Sequence, residues 1–321
     1  YQCDWSSDVC SSDLQPLQQW APRPPAAVLL ACHPGRRRPS QYGGLLDVAN
    51  PANPIGDWTL VAIPYCTGDV HLGSTDHLYQ KVAHPGYPRA ETLTIHHRGY
   101  DNFMVVLDWI TRNVPQGVTD LFVTGGSAGG YGATVHFPWL ARQYPNARMA
   151  MLADASQGVS TVDFDQRGRA AWNPQVPPWV FGSDPLAVPT NEFLHRTAQA
   201  YPAARFGQYT TTQDGVQSGF YGYMKLFYGP GGACGGIVPD WNNQMLQTLA
   251  TDRAGLPNFR AFVLGGSSHT IIADSAFYEP TPAGTSMAAW TTAMLSPGPA
   301  PAAWANAACP DCLVPMRCRQ P

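Results

Sequence analysis

The chain has 321 residues, 13% of them charged and 44% hydrophobic, with a formal net charge of −3. That composition can bury a large core and lacks the polyelectrolyte character of a nucleic-acid-binding protein, so no nucleic-acid partner is expected. No window approaches the ~18 uninterrupted apolar residues of a membrane span, and the start lacks the basic-then-apolar order of a signal peptide.

Residues 1–14, YQCDWSSDVCSSDL, have no apolar period and resemble a translated adapter, a non-native segment from which no fold is read. Residues 15–41 pack prolines and arginines around one short apolar run and read as a doubtful, partly misread segment. Residues 42–321 read as a single domain with a cysteine-rich C-terminal tail. WTLVAIPYC predicts a strand ended by the turn TGD, and YDNFMVVLDWITRNV predicts a helix with an acid near its start. TDLFVTGG predicts a second buried strand and YGATVHFPWLARQYP a second helix, in which Pro138 implies a bend or a first-turn position. ARMAMLADAS predicts a third strand. Residues 157–204, rich in proline and tryptophan and without period, predict an irregular lid or insertion over a site. The strand FGQYTTTQD, the helices QSGFYGYMKLFYG and PDWNNQMLQTLATD and the strand FRAFVLGGSSH continue the alternation. Strands alternating with helices predict an α/β fold, a mostly parallel sheet covered on both faces.

Eight cysteines are compatible with an oxidising compartment, hence a secreted or periplasmic protein. Cys309, Cys312 and Cys318 crowd the C-terminus and predict a short disulfide-closed tail. A zinc site needs four ligands, and no neighbouring histidine completes one, so no metal is expected.

In such a sheet ligands bind beyond the carboxyl ends of the strands. There the chain places Gly125-Gly126-Ser127-Ala128-Gly129, a G-x-S-x-G between a predicted strand and a predicted helix. This is the setting of a nucleophile elbow, in which the serine takes a strained conformation at a sharp turn and stands at a helix N-terminus. A phosphate-cradling loop would add GK[ST] or a G-x-G-x-x-G order, and neither is present. A serine hydroxyl needs a base, and in this architecture acid and base follow it in the order Ser, Asp, His. His269 follows the last predicted strand and is the expected base; His71, His96, His97 and His136 fall outside that order and read as structural or substrate-adjacent. Asp154 and Asp214 both end strands, and Asp214, one strand further on, is preferred as the acid. Asp274 lies too near His269 in the chain to orient that ring. Ala128, following the nucleophile, is expected to give one backbone N–H to an oxyanion hole.

Together, IPYCTGDVHLG, HRGYDNFMVVLDW, VTGGSAGGYGA, LADAS, QDGVQ and GGSSHTI resemble the pectin acetylesterase and Notum family, in its bacterial branch, from about Tyr42 to the C-terminal cysteines. The resemblance implies a secreted α/β-hydrolase carboxylesterase without cofactor, with Ser127 as nucleophile, Asp214 in its D-x-x-Q setting as acid and His269 as base. Members of this family cleave acetyl esters on pectin in plants and a lipid ester on a signalling protein in animals. An acylated small molecule or polysaccharide is the expected partner, and the protein is expected to act as a monomer. Tyr65, Asp69, His71 and Asp154 are expected near the substrate, while Trp172 and Trp179 either stack on sugar rings or cover the core. The family's second oxyanion donor comes from a glycine-rich loop after an early strand. Here that region reads ACHPGRRRPSQ, where Pro34 has no N–H and only Gly35 resembles the expected glycines. Losing a donor costs on the order of a hundredfold in turnover, so a weakened enzyme is expected. Another α/β-hydrolase chemistry (lipase, polyester hydrolase or peptidase) and a non-catalytic carbohydrate-binding relative are the alternatives.

Overall fold

The computed structural model describes residues 26–31, 43–80, 92–232 and 234–318. In chain order the strands are β1 (Ala26–Ala31), β2 (Thr59–Pro64), β3 (Thr75–Gln80), β4 (Thr92–His97), β5 (Asp120–Gly126), β6 (Arg148–Asp154), β7 (Arg205–Thr211), β8 (Phe259–Leu264) and β9 (Ala307–Ala308). The α-helices are α1 (Gly99–Asn113), α2 (Ala128–Gln143), α3 (Pro178–Phe181), α4 (Phe193–Ala200), α5 (Gly215–Tyr228), α6 (Ile237–Gly255) and α7 (Met287–Leu295). Seven strands form one sheet in the order β2-β1-β5-β6-β7-β8-β9, and every pairing in it is parallel. β3 and β4 pair separately as an antiparallel hairpin.

The strands alternate side chains between two cores, as their period of two requires. Leu121 and Val123 of β5, Met151 and Ala153 of β6 and Phe259, Ala261 and Val263 of β8 face one core, with Phe103 and Ile110 of α1, Phe137 and Leu140 of α2 and Trp241 and Met245 of α6. Phe122, Ala150, Leu152 and Phe262 face the other, where Met287, Trp290 and Met294 of α7 meet Leu45, Leu46 and Ile55. Both faces are therefore apolar, which is why these strands read as continuous apolar runs rather than alternating ones.

Four features refine or correct the sequence reading. The apolar run inside the doubtful segment forms β1, an interior strand paired along its length with β2 and β5. The stretch 157–204 is not wholly irregular: α4 buries Phe193, Leu194, Thr197 and Ala198. Pro138 lies deep inside α2, not at its first turn. A proline there leaves the carbonyl four residues earlier without its helical donor, and the Thr197 hydroxyl donates to that Thr134 oxygen at 3.2 Å. The β3–β4 hairpin lacks a sequence signal because its strands are short, largely exposed and rich in polar residues.

Two disulfides are present among the described residues, Cys234–Cys318 and Cys309–Cys312. Cys309–Cys312 closes a short loop within the tail as expected, whereas Cys318 reaches back 84 residues to Cys234.

Candidate active site

β5 ends at Gly126 and α2 begins at Ala128, leaving Ser127 alone to reverse the chain. It does so at φ 56°, ψ −124°, a region that side chains other than glycine seldom enter. The turn is held by the Ser127 N–H donating to the Asp154 carbonyl at 2.7 Å and the Gly130 N–H donating to the Ser127 carbonyl at 2.9 Å. The Ser127 hydroxyl caps no backbone N–H of α2 and is left for other work. Ala128 is the first residue of the helix, so its N–H has no acceptor within α2. Close approach is concentrated at Gly130, where a Cβ would collide with Ser156 and lie 3.1 Å from the Gly125 carbonyl oxygen.

Asp214 is fully buried and caps α5. Its Oδ1 accepts the backbone N–H of Val216 at 3.0 Å and of Gln217 at 2.9 Å, while Oδ2 accepts from Gln217 Nε2 at 2.9 Å. The Gln217 amide is itself locked, because the same Nε2 donates to Gln157 Oε1 at 2.8 Å and its Oε1 accepts the Gln157 backbone N–H at 2.8 Å. Asp214 therefore has a fixed orientation before any base approaches it.

His269 meets that carboxylate with Nδ1, 2.9 Å from Oδ1 and 2.8 Å from Oδ2. A carboxylate only accepts, so Nδ1 donates to it, and in the neutral ring Nε2 is then the nitrogen with the lone pair. Nε2 is buried and has no hydrogen-bond partner, Ser127 included. The loop after β8 is stitched to the turn before α5: the Gln213 N–H donates to Gly266 at 2.9 Å, the Gly215 N–H to Ser267 at 3.1 Å and the Thr211 hydroxyl to Ser268 at 2.5 Å. A Cβ at Gly126, the residue before Ser127, would lie 3.3 Å from Thr270 Cγ2, so the end of β5 packs against the loop that follows His269.

The other expected residues divide. Asp154 is fully buried at the end of β6, where Oδ2 accepts the N–H groups of Ile271 and Ile272, each at 2.8 Å. Burial pushes its carboxyl up to about 7, opposed by those two donors and by the charge of His269. Asp69 is also fully buried, and accepts from the Thr67 hydroxyl at 2.5 Å, His71 N–H at 3.0 Å, Gly73 N–H at 3.1 Å and Gly99 N–H at 2.8 Å. With its acceptor sites so occupied, it shapes the loop after β2. His71 sits in that loop at φ 67°, with its ring 4.8 Å from that of Tyr65, whose hydroxyl accepts the Val70 N–H at 2.9 Å. Burial, then the neighbouring His136, push the His71 imidazole down to about 3, so it is neutral. Trp179 stacks on the guanidinium of Arg142 at 3.9 Å. Arg142 lies fifteen positions after Ser127 in α2, about 22 Å along the helix, which places Trp179 at the far end of α2 from the elbow. Trp172 is tied instead to the loop after β2, its carbonyl accepting the Ser74 N–H at 3.0 Å. Gly35 lies outside the described residues; Ala31, the last residue of β1, pairs in register with Gly126.

The part played by Gln217 and Gln157 escaped the residue-by-residue reading. Aspartate followed three residues later by glutamine is a helix-start pattern, which was the available signal for Gln217. Gln157 meets Asp214 only through Gln217, 60 residues away in the chain, and left no local signal.

Residues 35–171 match the family model for pectinacetylesterase. In fold the chain is similar to a solved structure of the Wnt deacylase Notum from Drosophila, with a TM-score of 0.57 and 14% identity over 86% of each chain. No protein of curated function matches the chain in sequence. Among the described residues no helix is long and apolar enough to cross a membrane. The family match thus spans residues 35–171, under half of the chain, and the likeness to the Notum structure is one of α/β fold.

Proposed function

We propose that the chain is a serine carboxylesterase that removes O-acyl groups, O-acetyl above all, from a polysaccharide such as pectin, and that it works outside the cytoplasm. What supports this reading is a serine held at φ 56° on a strand–helix turn, together with a histidine whose Nδ1 is taken by a buried aspartate and whose buried Nε2 has no hydrogen-bond partner. The two disulfides support an oxidising compartment.

In this mechanism His269 Nε2 takes the Ser127 proton as Oγ attacks the ester carbonyl. The tetrahedral oxyanion meets the Ala128 N–H, and the intermediate collapses as His269 returns the proton to the departing alcohol. Water then attacks the acyl-enzyme by the same route, releasing the acid. Asp214 keeps the proton on Nδ1 and stabilises the imidazolium without itself changing protonation. For the second oxyanion donor the sequence offers Gly35, which lies outside the described residues. With one donor weak, turnover is expected on the order of a hundredfold below that of a complete hole.

Three measurements test the reading: covalent labelling by a fluorophosphonate, acetate release from acetylated pectin, and hydrolysis of p-nitrophenyl acetate against longer acyl chains. Labelling that Ser127→Ala abolishes, with a preference for acetyl, is expected. A chain that no fluorophosphonate labels at Ser127 is not a serine esterase.

A further inference from the structure

Asp154 is in register with Gly126 of β5 on one side and with Tyr209 of β7 on the other. Its backbone carbonyl receives the N–H of Ser127, and its side chain receives the two N–H groups that follow His269 and Thr270. One residue thus holds the backbone of the nucleophile and the loop of the base. Oδ2 is occupied by those donors and Oδ1 has no partner, so Asp154 does not grip the imidazole as Asp214 does. Two backbone donors could be satisfied by a neutral amide oxygen, whereas burying a carboxylate costs free energy unless a charge nearby returns it.

We propose that Asp154 is a positioning residue for the base: it holds the loop of His269 against the elbow, and its negative charge, added to that of Asp214, favours the imidazolium that forms as Ser127 loses its proton. This rests on the esterase reading given above. The groups facing Asp154 fit it. His269, from the loop after β8, attracts the carboxylate, and Asp214, at the start of α5, repels it. Tyr209 of β7 stays uncharged, because burial and then the charges of Asp154 and Asp214 push its hydroxyl upward. From β5 and α2 the contact is the Ser127 N–H, which carries no charge. With burial pushing it up to about 7, the Asp154 carboxyl gains and loses its proton in the range where the base must work.

The test is the second-order rate of fluorophosphonate labelling of Ser127 as a function of pH, in the full chain and in Asp154→Asn. In the unsubstituted chain the acid limb should be shallower than a single ionisation, because protonating either Asp154 or His269 disfavours protonating the other. In Asp154→Asn the limb should become a single ionisation and move to lower pH by about half a unit or more. The plateau rate should fall roughly tenfold as the loop loosens, while KM for p-nitrophenyl acetate stays unchanged because Asp154 is fully buried. A residue that only held the loop would lower the plateau and leave the limb in place, and that result overturns the inference. Should Asp154→Asn not fold, a single-ionisation limb in the unsubstituted chain overturns it equally. Absence of Ser127-dependent labelling would sink the esterase reading and this inference with it; Ser127-dependent labelling with an unmoved limb sinks the inference alone.

Discussion

Gly130→Ala sets two effects of known size against each other. Gly130 lies in the first turn of α2, and in an unhindered helix alanine would be worth up to about 1 kcal/mol more than glycine. Here the added methyl would strike Ser156 Oγ, lie 2.9 Å from Ser156 Cβ and 3.1 Å from the backbone oxygen of Gly125. The hydroxyl can rotate away, but the Cβ and the strand carbonyl cannot move without shifting the end of β5 or the segment after β6. Overpacking of this kind costs about 1–3 kcal/mol, and against the helix gain it leaves a net destabilisation of up to about 2 kcal/mol. The shift falls on the turn that carries Ser127, and displacement of a reacting group by a fraction of an ångström is expected to slow labelling at least tenfold. Urea unfolding and the fluorophosphonate labelling rate measure the two consequences separately. Adding Ser156→Gly removes the struck atoms and should recover most of both losses, a coupling that distant sites do not show. Unchanged stability and labelling in Gly130→Ala would refute the argument that close approach at this glycine sets the elbow.

Other expectations are independent of that one. Gln217→Leu takes a donor from Asp214 Oδ2 and unlocks Gln157, so turnover should drop about tenfold with KM unchanged; loss of substrate affinity alone would contradict the role given to it. Asp154 holds its proton more tightly folded than unfolded, so its contribution to stability is complete below about 4 and lost as pH rises to about 7. The gap from 3.8 to about 7 corresponds to roughly 4 kcal/mol, and unfolding free energies across that range should slope downward in the unsubstituted chain and less so in Asp154→Asn. Thr197→Val withdraws the hydroxyl that serves the Thr134 carbonyl freed by Pro138, and should lower stability by about 1–2 kcal/mol in the same unfolding assay without altering labelling.

What could be read in advance was what short stretches encode. An apolar run, two glycines, a serine and a helical pattern within Leu121–Ala133 suffice to specify a strand, a turn and a helix, because each signal acts over a few residues. The same holds for β6, β7, β8, α1, α5 and α6, whose apolar periods are long. β1 is weakly signalled because its six residues stand among prolines and arginines, and α4 because eight residues in a proline-rich stretch carry little periodicity. Both are held by neighbours distant in the chain, β1 by strands on either side and α4 by α2.

The chain order Ser127, Asp214, His269 was likewise available from strand ends, as was the preference for Asp214 over Asp154 as the partner of the histidine ring, which the 2.8 Å contact to Oδ2 matches. The duties of Asp69 and Asp154 were not. Both are carboxylates at or soon after strand ends and look alike in the sequence, yet Asp69 is spent on backbone N–H groups of its own loop and of Gly99, while Asp154 reaches Ile272, 118 residues on. By itself the sequence determined where strands end and which serine, carboxylate and imidazole side chains stand there, since these depend on local pattern. Only the tertiary structure decided which carboxylate meets the imidazole and which grips the loop, because a hydrogen-bond partner is chosen by distance in space.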